Sequence, residues 1–157
     1  MDTFIVASPV GKIEFGISNN QIHSVNLYSR KRPCLPDSEL EMAIENQVND
    51  YFSGARNFFN LPVKWETTDF RKKICQALKY IPYGKTITYG ELAKQLASSP
   101  RAVGGACRNN PLPLLFPCHR VVAASGLGGF SGETSGHRIE VKKFLLNLEC
   151  SSRDSDN

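Results

Sequence analysis

The residues most capable of chemistry in this chain are a cysteine, a histidine and an arginine in direct succession. Cys118, His119 and Arg120 lie inside an apolar stretch that runs from residue 112 to residue 124. Burying such polar side chains costs free energy unless they are paired, so their presence indicates a function. A neighbouring imidazole and guanidinium favour the thiolate, which is the nucleophilic form of cysteine. The run therefore predicts a nucleophilic Cys118 with a thiol pKa below about 8.5, and a buried structural cysteine is the alternative.

Glu149 is the candidate for a group that supports His119. It stands near the end of a predicted amphipathic helix whose apolar positions include Val141, Leu145 and Leu148. The helix dipole disfavours a carboxylate there, so Glu149 would be stabilised by a cationic or hydrogen-bonding partner such as His119. With Cys118 they would form a thiol–imidazole–carboxylate relay, in which a turn or a water bridges the first two groups. A glutamate that frays into solvent is the alternative.

The cysteines and histidines do not have the spacing of a metal site or of a disulfide framework. The chain has five cysteines, an odd number, without a CxxC pair. Zinc sites usually contain closely paired ligands, and Cys107, Cys118 and His119 offer neither such a pair nor a fourth ligand. We therefore expect reduced thiols in a cytoplasmic protein and no metal site.

Residues 100–108 predict a helix with an unusual face. Gly104 and Gly105 each cost about 1 kcal/mol relative to alanine, so something should offset them. Arg101 and Arg108 fall on the same face as the two glycines. Two cations beside a nearly bare backbone could lie flush against DNA and reach its phosphates or a groove. A close helix–helix contact through the glycines is the alternative.

The elements around this helix outline a helix-turn-helix. Thr88 and Glu91 match a capping box that begins a helix over residues 89–96. Ser99 is suited to be the N-cap of the next helix, with Pro100 as its first residue. Such helical hairpins also occur in proteins that do not bind DNA, so the outline alone does not define a function.

The N-terminal part has a different pattern, which predicts an α+β chain of two domains. Alternating apolar residues predict strands in the first thirty positions, with a turn at Asn19 and Asn20. Ser38 predicts the N-cap of a helix that ends at Gly54. We expect residues 1–66 to form a small antiparallel sheet with a helix, and residues 67–150 a mainly helical domain. Residues 151–157 are expected to be a disordered tail.

Composition narrows the class of protein further. The 157 residues are 41% hydrophobic and 22% charged, which suits one sizeable core or two small ones and excludes a disordered chain. We expect no membrane span and no secretory signal. Residues 1–65 hold six Lys/Arg and seven Asp/Glu, whereas residues 66–157 hold thirteen and eight. This basic half suggests a polyanionic partner, and a solvated basic surface is the alternative.

Taken together, these motifs resemble the O6-alkylguanine-DNA alkyltransferase family. The resemblance is carried by residues 117–121, by Asn110-Pro111 and by residues 101–106, and it covers most of residues 67–149. It implies a ribonuclease H-like first domain and a winged-helix-like second domain. It also implies a monomer that binds duplex DNA, with cooperative binding as a further possibility. Such a protein flips O6-alkylguanine (and O4-alkylthymine) out of the duplex and moves the alkyl group irreversibly to its own cysteine, without a cofactor.

The resemblance also implies roles for individual residues. Cys118 would accept the alkyl group, His119 would act as its base through a water, and Glu149 would orient His119. Tyr89 would help to protonate the leaving guanine, and Asn110 would brace the neighbouring loop. Arg101 would fill the space left by the flipped base. The implied DNA contacts are Ser99, Arg101, Ala102, Gly104, Gly105 and Arg108. The implied pocket consists of Cys107, Pro113, Val121, Phe130, Ser131 and Gly132.

Some positions depart from the family pattern, and two other functions compete with it. Phe130 stands where tyrosine is common, and residues 133–138 look like an insertion over the pocket. One competing function is a helix-turn-helix regulator in which Cys118 is merely buried. The other is a cysteine hydrolase that uses Cys118, His119 and Glu149 and needs an oxyanion hole.

Overall fold

The chain folds into two compact units of mixed helix and sheet, which confirms the predicted α+β class. The computed structural model describes residues 2–130 and 136–155, with side chains described as far as Ser151. The first unit comprises Met1–Glu66 together with Pro111–Leu115, and the second comprises Thr67–Asn110 with Phe116–Asn157. The division after residue 66 agrees with the expected boundary, but Pro111–Leu115 lies in the other unit. The backbone explains this difference, because the Pro111 carbonyl accepts a hydrogen bond of 2.9 Å from the Val25 amide.

The first unit is a three-stranded antiparallel sheet with one helix. Strands β1, β2 and β3 pair in sequence order, and the turn between β2 and β3 contains Asn19 and Asn20 with φ angles of 52° and 59°. Asparagine tolerates this left-handed conformation, which a tight hairpin turn requires. Ser38 caps α1 by accepting the amide hydrogen of Glu41. The elements are β1 Asp2–Ser8, β2 Gly11–Ser18, β3 Gln21–Ser29 and α1 Glu39–Phe52.

The second unit is mainly helical, as expected. Its two short strands, β4 and β5, pair in parallel, and β5 directly follows a single 3-10 turn, Cys118–Arg120. Two-residue strands carry too few positions for an alternating pattern, so no pattern of residues predicts them. The elements are α2 Asp69–Lys79, β4 Ile87–Thr88, α3 Tyr89–Gln95, α4 Pro100–Arg108, β5 Val121–Val122 and α5 His137–Ser155.

The predicted helix caps around α3 and α4 are present. Thr88 and Glu91 form the capping box of α3, with the Glu91 amide 3.0 Å from Thr88 Oγ1. Ser99 Oγ accepts the Ala102 amide hydrogen at 3.1 Å, and Pro100 is the first residue of α4. The two helices are therefore fixed at their N-termini by local hydrogen bonds.

The last helix differs from the prediction at its C-terminal end. Helix α5 continues to Ser155, so residues 151–155 are helical where a disordered tail was expected. Glu149 consequently lies inside the helix rather than at its end. No helix in the described part of the chain is long and apolar enough to cross a membrane.

Candidate active site

The three chemical residues lie together on the 3-10 turn. Cys118, His119 and Arg120 have exposed fractions of only 5%, 1% and 7%. The sequence analysis required a turn or a bridging water to connect Cys118 with His119, and the structure has a turn there. Because all three are buried, each polar group needs a partner inside the second unit.

Glu149 is the partner of both His119 and Arg120. The Glu149 side chain is 1% exposed, which excludes the frayed surface glutamate. His119 Nε2 lies 2.7 Å from Glu149 Oε2. Arg120 donates from Nε to Oε1 at 2.8 Å and from Nη2 to Oε2 at 3.0 Å, and its Nη1 donates to the Ile81 carbonyl at 2.8 Å. One buried carboxylate therefore holds an imidazole and a bidentate guanidinium.

The charges of this group determine which nitrogen of His119 can act as a base. Burial lowers the pKa of the His119 imidazole, so the ring is neutral near pH 7. Burial opposes ionisation of Glu149, but hydrogen bonds from His119 and Arg120 and the charge of Arg120 outweigh it and hold the pKa of the Glu149 carboxyl well below its usual range. An ionised carboxylate can only accept, so a neutral His119 carries its proton on Nε2. The buried Nδ1, without a partner among the described residues, is left as the proton acceptor.

Cys118 is a neutral thiol in this environment, which corrects the predicted lowered pKa. Burial raises the pKa of Cys118, although a hydrogen bond from Asn110 and the charge of Lys142 act in the opposite direction. The guanidinium of Arg120 was expected to favour the thiolate, but it is committed to Glu149 and to Ile81. Asn110 also donates from Nδ2 to the Phe116 carbonyl at 3.0 Å, which ties it to the chain just before the turn.

Tyr89 faces a glycine-containing loop that follows β5. Its hydroxyl donates to the Gly129 carbonyl at 3.4 Å. Gly128 has a φ of +73°, and a Cβ there would lie 3.0 Å from Tyr89 Cε2 and 3.2 Å from the Ala123 amide nitrogen. Only glycine therefore fits this approach without strain. Burial raises the pKa of Tyr89 to about 12, so its hydroxyl remains a hydrogen-bond donor at neutral pH.

The sequence reasoning missed Lys142 and did not predict the partners of Arg120. Lys142 is 0% exposed and donates to three carbonyls, and Arg120 pairs with Glu149 rather than with the thiol. The sequence pattern of α5 could have revealed Lys142, because residues 142, 145 and 149 are three and four positions apart and therefore share a helix face. A lysine on an apolar face indicates a buried, paired charge.

The remaining pocket residues are only partly brought together. Val121 and Phe130 are buried in the second unit, and Cys107 is near enough to Cys118 for their charges to interact. Burial raises the pKa of Cys107 and raises that of Cys75 to about 11, so both thiols, like that of Cys118, are protonated at neutral pH. Pro113 belongs to the first unit. Ser131 and Gly132, together with residues 133–135 of the insertion, lie outside the described residues.

Helix α4 presents the face that its sequence predicted. Arg101 and Arg108 are exposed, and a Cβ built on Gly104 or on Gly105 would meet nothing within 4 Å. The glycines therefore make no close helix–helix contact with the described part of the chain, which removes the alternative explanation for them. Ser99 caps this helix, and Ala102 lies between Arg101 and the glycines in its first turn.

The described residues contain no group of three His, Cys, Asp or Glu side chains that could hold a metal ion. The site contains a thiol, a neutral imidazole oriented by a carboxylate, and a tyrosine hydroxyl. Such a set can remove a proton from a nucleophile and donate one to a leaving group.

Comparison with known proteins identifies the family. The family model described as "6-O-methylguanine DNA methyltransferase, DNA binding domain" matches residues 69–151. The chain is 38% identical to a methylated-DNA–protein-cysteine methyltransferase of Methanosarcina acetivorans, over 94% of this chain and 97% of that protein. It is 34% identical to one of Metallosphaera sedula, over 92% and 90%. The chain belongs to the O6-methylguanine-DNA methyltransferase family.

Solved structures agree with this assignment. A crystal structure of Mycobacterium tuberculosis OGT in complex with DNA is similar with a TM-score of 0.81 and 33% identity, over 96% of this chain and 93% of that chain. An O6-methylguanine DNA methyltransferase from Methanococcus jannaschii is similar with a TM-score of 0.65 and 31% identity, over 96% and 90%. The fold of the chain is therefore the fold of this family.

Proposed function

We propose that this protein repairs DNA by direct reversal, taking the alkyl group of O6-alkylguanine in duplex DNA onto Cys118 in a single turnover. The observation that carries the proposal is the buried arrangement of Cys118, His119 and Glu149 within a family of methylated-DNA–protein-cysteine methyltransferases. O4-alkylthymine is a second substrate of the same chemistry. The protein acts as a monomer in the cytoplasm, where its free cysteines stay reduced.

The alkyl transfer is a displacement at carbon. His119 Nδ1 accepts the thiol proton of Cys118, through a bridging water. The thiolate then attacks the alkyl carbon, so that an S–C bond forms while the C–O6 bond breaks and its electron pair passes to the guanine. Because Cys118 is neutral at rest, the proton leaves as substrate enters rather than beforehand. The thioether product has no route back to a thiol, which limits each molecule to one reaction.

Tyr89 supports departure of the guanine. The departing base gains negative charge at the oxygen as the bond breaks, and a hydrogen bond or a proton stabilises that charge. The Tyr89 hydroxyl keeps its proton because burial raises its pKa to about 12, and it stands beside the loop at Gly129. Asn110 braces the segment before the turn through its hydrogen bond to the Phe116 carbonyl.

Stoichiometry tests the proposed reaction. Duplex DNA with one O6-methylguanine, mixed with a limiting amount of protein, should lose one methylated base per protein molecule and no more. The Cys118→Ser variant should repair none, while Cys150→Ser, which changes an exposed thiol, should repair as many as the wild type. Repair that continues beyond one base per molecule would contradict a single turnover.

We also propose that α3 and α4 act as a helix-turn-helix and that Arg101 enters the duplex when the damaged base flips out. Its place in the first turn of α4, on the open glycine face, supports this role because the helix can approach a groove closely. Extrusion of a base costs a few kcal/mol, which an inserted side chain can offset. An arginine that only contacts phosphate contributes charge instead.

Two arginine variants separate insertion from simple binding. Arg101→Ala should slow methyl transfer from duplex DNA much more than it weakens duplex binding, and should leave transfer from the free base O6-benzylguanine nearly unchanged. Arg108→Ala should lose duplex affinity and transfer together, with a salt dependence reduced by about one unit. If Arg101→Ala slowed the free-base reaction as strongly as the duplex reaction, Arg101 would hold the pocket rather than the duplex.

A further inference from the structure

The second unit contains a cavity that none of the proposed roles uses. It lies where the end of α2, the loop after it, β4 and α3 meet. Its volume is about 250 Å³, slightly below the range of about 300–1,000 Å³ for sites that hold drug-sized ligands. In the described part of the chain, no residue assigned a role in alkyl transfer or in DNA contact lines it. The cavity is therefore a separate feature with room for one ring system.

The buried part of the cavity lining is apolar, and one exposed part is an aromatic ring. Ile81 and Leu92 are only 7% and 1% exposed, and Ile87 is half-buried. Tyr80 lines the same cavity although 85% of its surface is exposed. A single exposed tyrosine needs no explanation, but a ring beside an apolar cavity offers a face on which a planar ligand can stack.

The rest of the exposed lining carries polar groups that the protein itself does not use. The side chains of Lys85, Thr86 and Gln95 are exposed and make no hydrogen bond or ion pair with the described residues. Glu91 Oε1 accepts from the Thr88 amide at 3.4 Å, which leaves Oε2 open among those residues. Binding sites for small molecules combine an apolar lining with a few polar groups that fix the orientation of the ligand. This cavity has both components.

The combination matches the chemistry of a nucleotide. Tyrosine stacks on the face of a base, and lysine pairs with a phosphate. A carboxylate such as that of Glu91 accepts from an exocyclic amino group, and a glutamine such as Gln95 can bond to the edge of adenine. Thymine lacks that amino group and would present an oxygen to the carboxylate. The excess of thirteen Lys/Arg over eight Asp/Glu in residues 66–157 also favours a polyanion at this unit.

We propose that this cavity is a second nucleic-acid site, which binds one unpaired nucleotide of single-stranded DNA, stacks its amino-bearing base on Tyr80 and holds its phosphate with Lys85. A single strand supplies such a nucleotide together with neighbouring phosphates, whereas the bases of a duplex are already stacked on both faces. The site is separate from the pocket proposed to receive alkylguanine, so its occupancy does not depend on the proposed function.

Titrations followed by nuclear magnetic resonance of the nitrogen-15-labelled protein test this site. The ligands are single-stranded tetramers of deoxyadenosine and of deoxythymidine, the mononucleotide dAMP, and inorganic phosphate. The deoxyadenosine tetramer should shift the backbone amide signals of residues 80–81, 85–87 and 91–95. Measured at these signals, it should bind about fivefold or more tightly than each of the other three ligands.

Four variants with exposed substitution sites assign the contacts, and their amide spectra show that each is folded. Tyr80→Ala should weaken binding of the deoxyadenosine tetramer about fivefold or more, whereas Tyr80→Phe should keep the affinity, because stacking needs only the ring. Lys85→Gln should weaken binding and reduce its salt dependence. Lys94→Gln is the matched control and should change neither, because Lys94 is exposed on α3 but lies outside the lining.

The proposal is overturned if the deoxyadenosine tetramer does not shift these amide signals, or if Tyr80→Ala binds it as tightly as the wild type does. Equal shifts with inorganic phosphate would show an anion site that takes no base. Equally tight binding of dAMP would contradict the single strand as the ligand, and equally tight binding of the deoxythymidine tetramer would contradict the amino-bearing base.

Discussion

At the scale of single residues, burial keeps the proposed nucleophile Cys118 as a neutral thiol and the proposed base His119 as a neutral imidazole. The two properties have the same cause, since burial disfavours both the thiolate of Cys118 and the imidazolium of His119. Glu149 remains ionised in the same surroundings only because His119 and Arg120 satisfy its oxygens. A resting thiol is protected from incidental electrophiles, and proton transfer to His119 can accompany the entry of substrate.

The first residue-scale prediction concerns this resting state. Modification of Cys118 by iodoacetamide in the free protein should have a pH midpoint above the ordinary thiol value of about 8.5, because burial disfavours the charge. Peptide mass spectrometry measures Cys118 and the exposed Cys150 in the same sample, so Cys150 reports the reagent's intrinsic rate. A Cys118 midpoint below that of ordinary thiols would mean that the thiolate forms before substrate arrives.

The second residue-scale prediction concerns Glu149→Gln. The substitution leaves Arg120 buried without a full counter-charge, which should lower the free energy of unfolding by about 3–5 kcal/mol. It should also slow methyl transfer by about 100-fold or more, since the His119 tautomer is no longer fixed. Chemical denaturation and single-turnover kinetics measure the two effects. Glu140→Gln, at a position 66% exposed, is the control and should change neither.

The pH dependence of this variant has a definite sign. Because the folded pKa of Glu149 is depressed, the carboxylate stabilises the wild type above the unfolded value of about 4.3 and loses this contribution as pH falls through the folded pKa. The stability difference between wild type and Glu149→Gln should therefore be full at pH 7 and shrink below about pH 4. A difference that is constant down to acid pH would show that the charge is not the cause.

Sequence reasoning could find the chemical residues but not all of their partners. Cys118 and His119 stood out as polar groups in apolar surroundings, and the pairing of Glu149 with His119 followed from the need to satisfy a carboxylate. The pairing of Arg120 with Glu149 could not be predicted, because a guanidinium that is next to a thiol in sequence can bind a different group in the folded protein. The pKa of Cys118 depended on its degree of burial, which neighbours in sequence do not determine.

At the scale of elements, α4 combines a poor helix sequence with well-formed ends. Its N-cap and its N-terminal proline compensate in part for the two glycines in its interior. A Cβ built on either glycine would meet nothing within 4 Å in the described part of the chain, so no close packing there requires glycine and offsets its cost to stability. A binding partner that needs a flat surface would account for them.

The element-scale prediction exploits this conflict. Gly104→Ala and Gly105→Ala should each stabilise the protein by up to about 1 kcal/mol, because alanine favours the helix and its Cβ has open space. The same changes should weaken binding to duplex DNA if the face lies against it. Thermal unfolding and binding titrations at fixed salt measure the two effects. Gly90→Ala in α3 is the control, and equal affinity for DNA in all three variants would place the duplex on another face.

Elements with local determinants were predicted most reliably. The caps at Ser38, Thr88 and Ser99 depend on side chains within three residues, and each was found where the sequence placed it. The strands β4 and β5 depend on a pairing between distant parts of the chain, for which two residues give no pattern. The end of α5 was placed too early, because a polar composition was interpreted as disorder although it also suits an exposed helix.

At the scale of the whole molecule, the division into two units was predictable and its detail was not. The change from alternating to helical periodicity marks the boundary after residue 66. Pro111–Leu115 belongs to the first unit, where the Pro111 carbonyl accepts a hydrogen bond from the Val25 amide of β3. No local sequence pattern predicts this long-range pairing. Family membership covers both units, because relatives and solved structures match more than nine-tenths of the chain.

The most direct test of the account is the mass of the protein after it meets its substrate. Intact-mass spectrometry after incubation with duplex DNA containing O6-methylguanine should show one added methyl group per molecule, and peptide mapping should place it on Cys118. Incubation with unmodified duplex should add nothing, and the Cys118→Ser variant should gain no methyl group from either DNA. A protein whose mass is unchanged although it binds the methylated duplex, or a methyl group found on Cys75 or Cys107 instead, would contradict the account.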